Sequence, residues 1–154
     1  MLAATQGDGD GNSKKALALL QRAVDQGDAA SAAAMGMLYE VGERPIRKDA
    51  KKATEFFKKC AALGGAALLV PTAQSYERGE MPSGDPEARA VELYSIAADH
   101  DDELGLLYLG VMTEQGRGGL RKDVDKAVEL YQRSASLGNL QAIEKLRLLG
   151  RKAR

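Results

Sequence analysis

The sequence predicts an all-α protein in which helix-turn-helix repeats of 37 residues stack into a solenoid. Segments with the same order of small and aromatic residues begin at Ala16, Ala53, Ala90 and Ala127, each 37 residues after the one before. Glycine recurs in step with them, as in Gly27, Gly64 and Gly138 or in Gly42, Gly79 and Gly116. Aromatic residues make up 5% of the chain and Trp is absent, which favours close-packed helices of small side chains over a β-sandwich.

Each repeat is predicted to contain a first helix and a second helix. In the second helices, residues such as Ala53, Phe56, Phe57 and Cys60 lie at i, i+3, i+4 and i+7, the apolar stripe of an amphipathic helix. Neither helix could bury its stripe alone, so neighbouring helices must stack around one continuous core. The residues suited to begin the second helices are Asn12, Asp49 and Asp123 as N-caps, and Pro86 at a first helical position.

We predict a single domain over residues 1–154 that forms part of a longer array. Its elements are a lone second helix at 13–26, complete helix pairs at 28–63, 65–100 and 102–137, and a final first helix at 139–149. The repeat already runs at residue 1 with no polar cap unit, which indicates a longer array or end-to-end pairing with another chain. Pro71 predicts either a kink in the first helix of its repeat or a late start of that helix.

Small residues recur in the middle of the first helices, where glycine costs about 1 kcal/mol relative to alanine. Because this unfavourable choice recurs, we expect an aromatic side chain of the paired second helix to pack over each small residue. The small residues are Gly36, Ala73 and Gly110, and the aromatic residues are Phe57, Tyr94 and Tyr131.

The repeat resembles a known family in its order of residues. The positions that carry the resemblance are Ala90, Leu93, Tyr94, Ala97, Ala98, Leu109, Gly110, Gly116 and Asp123. In this order they resemble the Sel-one-like repeat (SLR) family, a relative of the tetratricopeptide repeats. The resemblance implies a right-handed superhelix that serves as an adaptor or scaffold for protein complexes. The third repeat departs from the pattern at Asp101, Thr113 and Pro86.

The resemblance also implies a binding face, because in tetratricopeptide-like solenoids one face of the first helices lines a concave groove. After the core positions are assigned, the remaining face of these helices carries apolar residues, as a peptide-binding groove requires. This face is predicted to comprise Ala30, Ala33, Met37, Val41, Ala67, Val70, Gln74, Arg78, Leu104, Leu107, Val111 and Gln115. Along its edge lie Glu40, Glu77 and Glu114, which either select a basic or amide-rich ligand or form a solvated rim. Further repeats or a second copy of the chain could cover the same face.

No constellation for catalysis, metal binding or cofactor binding is predicted. His100 is the only histidine, and we interpret its acidic surroundings as a turn between helices rather than a metal site. The calcium-like segment that begins at Asp8 has Ser13 where the loop needs glycine and Leu19 where it needs glutamate. The glycines of 79–84 are followed by Asp85 and Pro86 where a phosphate loop has lysine and Ser or Thr. Cys60, the only cysteine, occupies a core position of its helix and is interpreted as buried filler.

Neither nucleic-acid binding nor membrane insertion is predicted. The longest apolar run, near Leu104–Val111, is too short to span a bilayer. Lys plus Arg and Asp plus Glu number 22 each, so the chain has no overall field that would attract an anionic partner. The basic concentration at Arg44, Arg47, Lys48, Lys51, Lys52, Lys58 and Lys59 is interpreted as a solvated face. A single thiol forms no internal disulfide, so the fold does not need an oxidising compartment; a cytoplasmic location is favoured over a periplasmic or secretory one.

We therefore predict a non-catalytic protein–protein interaction scaffold that holds a peptide or a partner helix in the groove of a repeat solenoid. Self-association through open repeat ends is a further prediction. Two alternatives come from other classes of protein. One is a beta-lactam-related hydrolase, as the resemblance to cysteine-rich members of the family implies, and the other is a structural spacer within a larger assembly.

Overall fold

The computed structural model describes the backbone of residues 6–153, with side chains from residue 11 onward, and this part is helical without strands. The chain divides into two compact units, Met1–Gly65 and Ala66–Arg154. The helices of the first unit are α1 (Gln6–Asp25), α2 (Ala29–Val41) and α3 (Ala50–Cys60). Those of the second unit are α4 (Leu69–Glu77), α5 (Pro86–Asp99), α6 (Glu103–Gln115), α7 (Val124–Ser136) and α8 (Leu140–Leu148). Within each unit, every helix packs on the next one along the chain.

Six of the eight described helices begin at a side-chain cap. The side chains that accept a hydrogen bond from the backbone N–H three residues on are Asp28, Asp49, Asp85, Asp102, Asp123 and Asn139. Gly42 and Gly116 follow α2 and α6 in the left-handed conformation, with φ of 74° and 66°. Asp101, which stands where other repeats have glycine, also has a positive φ of 55°.

The start of α1 differs from the prediction. This helix begins at Gln6 rather than at Ser13, so Asn12 lies inside it and is not its N-cap. The glycine-rich stretch before Ser13 favours a turn by its local propensity alone. The helix nevertheless continues through it, because propensity is a weak determinant of a helix boundary.

Of the two alternatives at Pro71, the structure has the late start. A π-helical turn (Ala61–Gly65) and a 3-10 turn (Ala66–Leu68) precede α4, which has nine residues, whereas α2 and α6 have thirteen. Pro71 is the third residue of α4, in the first turn, where a backbone N–H has no partner within the helix. The proline therefore removes no hydrogen bond of α4.

The aromatic side chains pack over the small residues as predicted in the two repeats with glycine. A Cβ atom added to Gly36 would lie 2.5 Å from Cε1 of Phe57, and one added to Gly110 would lie 2.7 Å from Cε1 of Tyr131. Phe57 and Tyr131 are fully buried. Glycine suits both positions because the ring occupies the space that a side chain would take.

One helical stretch among the described residues, Ala50–Glu77, is long and apolar enough to cross a membrane by length and composition. It is not one straight helix, because Gly64 breaks it with a φ of 90°. In the most apolar 18 residues of this stretch, 44% is buried inside the protein. Since buried helices of soluble proteins meet the same criterion, this stretch is weak evidence for a membrane span.

Candidate interaction site

The second unit has an apolar groove between its last two first helices, which we call the α6–α8 groove. It has a volume of about 380 Å³ and is lined by Leu107, Val111, Leu140, Gln141, Glu144, Lys145 and Leu148. Leu107 forms its floor and is 2% exposed, whereas Leu140 and Leu148 on α8 are 78% and 66% exposed. Exposed leucines beside an apolar cavity form a surface on which apolar side chains of another molecule could be buried.

The core below the groove holds its walls in place. Leu107 packs in one cluster with Val128 and Tyr131 of α7 and with Leu146 of α8. The buried side chain of Asn139 caps α8, accepting a hydrogen bond of 2.8 Å from the backbone N–H of Ala142. Since the cap and the core fix the direction of α8, the groove is a preformed feature of this unit.

The α6–α8 groove includes residues of the face that was predicted to line a concave groove. Leu107 and Val111 of the predicted face line it, and Leu104 packs beside them against the same core cluster. The residues that α8 contributes were not among those predicted. Their signal was present, because Gln141, Glu144 and Leu148 lie one repeat after Leu104, Leu107 and Val111.

The other predicted face residues are less uniform. On α2, Ala30 and Val41 are exposed, and Ala33 and Met37 are half-buried. Near α4, Ala67 and Arg78 are exposed and Gln74 is half-buried. Gln115, at the end of α6, is exposed and accepts a hydrogen bond of 3.1 Å from Nη1 of Arg117.

Val70 requires a correction, because it is only 3% exposed and so is a core residue rather than part of an accessible face. Leu107 has the same place in its repeat and is buried too. The physical reason is visible at Leu107: a first helix packs against its own second helix and also beside the next first helix. The face of a first helix that its own second helix leaves uncovered is therefore partly covered by the neighbouring first helix.

Two glutamates of the predicted groove edge, Glu77 and Glu114, form ties within the chain. Glu77 accepts a hydrogen bond from the hydroxyl of Tyr94, 17 residues further on, and Glu114 accepts one of 2.5 Å from Tyr131 at the same spacing. Burial raises the pKa of both tyrosines, and the carboxylate beside each hydroxyl raises it further. Glu40, at the same place in the first unit, is buried. Of the predicted edge residues, Glu77 and Glu114 therefore hold second helices to first helices.

Arg117 extends one of these ties. Its guanidinium lies 3.2 Å from Oε2 of Glu77 and 2.7 Å from Oε1 of Glu87, so it joins α4, α5 and the loop after α6. In the next repeat Lys145 lies 3.6 Å from Glu114. These contacts join successive helix pairs within the second unit.

The residues considered for chemistry have structural roles. Cys60 is fully buried, its thiol donates a hydrogen bond to the carbonyl oxygen of Gly65 at 3.3 Å, and burial raises its pKa. His100 is exposed at the end of α5, Asp102 caps α6, and Asp101 pairs with Arg133 at 2.7 Å. No group of three His, Cys, Asp or Glu side chains that could hold a metal ion occurs in the described part of the chain. The side chains of Asp8 and Asp10, in the calcium-like segment, lie outside the described residues.

The basic residues 44–59 lie on the exposed surface of the first unit. Lys52 lies over the ring of Tyr39, 5.2 Å from its centroid, and this ring stacks on Phe56 at 5.6 Å. The aromatic pair is half-buried beneath the lysine. This arrangement agrees with a solvated basic face.

The stacked helix pairs define an all-α solenoid of the helix-turn-helix repeat class, as predicted. The Sel1 repeat matches residues 2–28, 29–65, 72–102 and 104–139, which together make up more than half of the chain. The chain therefore belongs to the Sel1 repeat family. Proteins of this family are generally protein-interaction scaffolds and are typically non-catalytic.

Three solved structures of this kind are similar to the chain. A Sel1 repeat protein from Oxalobacter formigenes is 27% identical with a TM-score of 0.56; the match covers 86% of this chain and 53% of that one. A protective antigen of uropathogenic Escherichia coli with an SLR fold is 25% identical with a TM-score of 0.59, covering 90% and 30%. The cysteine-rich protein B of Helicobacter pylori is 25% identical with a TM-score of 0.52, covering 86% and 93%. The chain thus spans about half of the first protein and less than a third of the second. No curated protein matches the sequence.

Proposed function

We propose that this chain is a scaffold whose α6–α8 groove holds an extended peptide or a helix of a protein partner. The observation that carries the proposal is the pair of highly exposed leucines, Leu140 and Leu148, beside an apolar cavity of about 380 Å³. The scaffold role of the family supports it. Exposed aliphatic side chains on a rigid helix are suited to bury the apolar side of a ligand.

The charges around the groove indicate how a ligand would be held. Lys145 pairs with Glu114, and Glu144 pairs with Arg147 at 2.6 Å, so these groups already have partners on the scaffold. Apolar burial therefore supplies most of the affinity, and added salt should weaken binding only slightly. The ligand should present two or three aliphatic or aromatic side chains on one face.

Peptides selected on the intact chain from a displayed random library test this proposal. Their affinity would be measured by fluorescence anisotropy for the wild-type chain and for the double variant Leu140→Glu/Leu148→Glu. The variant should bind the peptides at least about tenfold more weakly, because each substitution places a charge where an apolar side chain of the bound peptide would be buried. The matched control is Leu19→Glu on α1, at a leucine that is 64% exposed and does not line the groove.

Two results would contradict the proposal. If selected peptides bound the double variant and the control equally well, the groove would not be the binding site. If no peptide were enriched at all, the chain would act as a structural spacer.

A hydrolase of the beta-lactam-related type is the second candidate, since the cysteine-rich protein B of Helicobacter pylori is among the similar structures. Against it, the single cysteine of this chain is buried and its pKa is raised, so the reactive thiolate is disfavoured. Incubation with a chromogenic lactam tests this candidate directly. Turnover above that of a heat-denatured control would overturn the scaffold proposal.

A further inference from the structure

The first unit contains a second cavity, which none of the predicted site residues lines. It has a volume of about 190 Å³ and lies between α1, α2 and the loop that follows α2. Its apolar walls are Leu17, Leu20, Leu38, Pro45 and Ile46. We call it the α1–α2 pocket.

The same place two repeats further along the chain is closed. There Arg117, in the loop after α6, pairs with Glu87 of α5 at 2.7 Å. The next residue, Gly118, lies so close to α5 that a Cβ atom added to it would be 2.5 Å from Cγ2 of Val91. An ion pair and a glycine thus hold the loop against the helix in the second unit.

Each of these closing groups is replaced in the first unit. Ser13 takes the place of Glu87, Glu43 that of Arg117, and Arg44 that of Gly118. Neither charge of the closing ion pair is present, and the Cβ of Arg44 prevents an approach as close as that of Gly118. The first unit thus lacks the three groups that close this place in the third repeat, and the pocket stays open.

The walls and the mouth of the pocket define a ligand chemistry. A cavity of about 150 Å³ lined by aliphatic side chains binds benzene, so about 190 Å³ of similar lining accommodates one aromatic ring. Of the charged residues of the loop, Glu43 and Arg44 line the pocket, and the basic Arg47 and Lys48 are exposed further along the loop. This excess of positive charge would attract carboxylates beside the ring.

We propose that the α1–α2 pocket binds an aromatic side chain that belongs to an acidic peptide segment of a partner protein. The ring enters between α1 and α2, and flanking carboxylates face the basic loop. This site is separate from the α6–α8 groove, so each proposal can fail without the other.

The test uses N-acetyl-phenylalanine and its uncharged amide as probes in a methyl NMR titration of the intact chain. Both probes should shift the methyl signals of Leu17, Leu20, Leu38 and Ile46, with affinities on the order of 1 mM for so small a ligand. The carboxylate probe should bind about threefold to fivefold more tightly than the amide, as expected for one exposed charge pair. Arg44→Glu should remove this difference.

The triple variant Ser13→Glu/Glu43→Arg/Arg44→Gly recreates all three closing groups of the second unit and should abolish the shifts with both probes. Leu17→Trp, which fills the pocket, should do the same, whereas Leu19→Trp on the exposed face of α1 should bind as the wild type does. Thermal melting of each variant separates loss of binding from loss of the fold.

Three outcomes would overturn the proposal. The shifts could map to methyl groups outside the pocket, or they could persist in both the closing and the filling variant. They could also appear without a probe as the protein concentration rises, in which case a second copy of the chain occupies the pocket.

Discussion

Gly110 lies in the middle of α6, at a position where the packing of Tyr131 forbids a side chain. A Cβ atom there would lie 2.7 Å from Cε1 and 2.9 Å from Cδ1 of the tyrosine ring, and 3.4 Å from Cβ of Leu130. The ring is fully buried and its hydroxyl is bonded to Glu114. Replacing Gly110 by alanine therefore forces the ring to shift, while the tie to Glu114 can be kept, because the second repeat has Ala73 at this place and its Tyr94 is still bonded to Glu77.

The size of the effect follows from two contributions. Overpacking a core costs about 1–3 kcal/mol. Alanine returns about 1 kcal/mol, because it favours the helix more than glycine does. Gly110→Ala should thus lower the free energy of unfolding by about 1 kcal/mol. Gly110→Leu, which adds three more carbons, should lower it more than Leu93→Ala, for which we expect about 2–5 kcal/mol.

Urea denaturation followed by circular dichroism measures this effect. Gly11→Ala is the matched control, because Gly11 also lies within a helix but has no atom within 4 Å of an added Cβ. The control should be as stable as the wild type or more stable. The double variant Gly110→Ala/Tyr131→Leu should lose less free energy of unfolding than Tyr131→Leu alone. If Gly110→Ala unfolded at the same urea concentration as the wild type, the close-packing argument would be refuted.

Three further predictions follow from burial and charge. The pKa of Tyr131 is raised in the folded chain, so its contribution to stability is present below the ordinary tyrosine pKa of 10.0 and is lost as the pH rises above it. Tyr131→Phe should therefore reduce the loss of stability that urea titrations measure at alkaline pH. An unchanged dependence of stability on pH would contradict the raised pKa. Cys60 is fully buried, so a thiol reagent should modify it only as fast as the first unit opens; rapid labelling at low urea would show that it is accessible. Leu107→Glu places a charge in the core and should lower the free energy of unfolding by more than about 3 kcal/mol, whereas the exposed Leu148→Glu should change it by less than about 0.5 kcal/mol. Equal melting temperatures for the last two variants would contradict the burial of Leu107.

The repeats of this chain differ in how their helix pairs are tied together. The second unit has a glutamate–tyrosine hydrogen bond in each of two repeats, Glu77 to Tyr94 and Glu114 to Tyr131. In the first unit Phe57 stands where these repeats have tyrosine and has no hydroxyl to donate. The three loops after the first helices also differ, which is why one of them leaves a pocket. Local substitutions on a common framework thus create sites that the repeat itself does not have.

Helix existence, helix pairing and the close approach at Gly36 and Gly110 followed from the sequence, because all three depend on side chains only a few positions or one repeat apart. The caps at Asp49 and Asp123 followed for the same reason, since a capping side chain bonds to the backbone three residues on. Position 71 was half predicted: proline limits where a helix can begin, but it does not choose between a kink and a late start.

What only the tertiary structure decided is which polar and apolar groups remain accessible. Val70 and Leu107 look free when a helix is considered with one partner, yet a first helix in a stack has neighbours on two sides, and both residues are buried. Glu77 and Glu114 look like a solvated edge until the tyrosines 17 residues away are brought against them. Periodicity along the chain determines the faces of each helix, whereas the distances between helices determine which of those faces another molecule can reach.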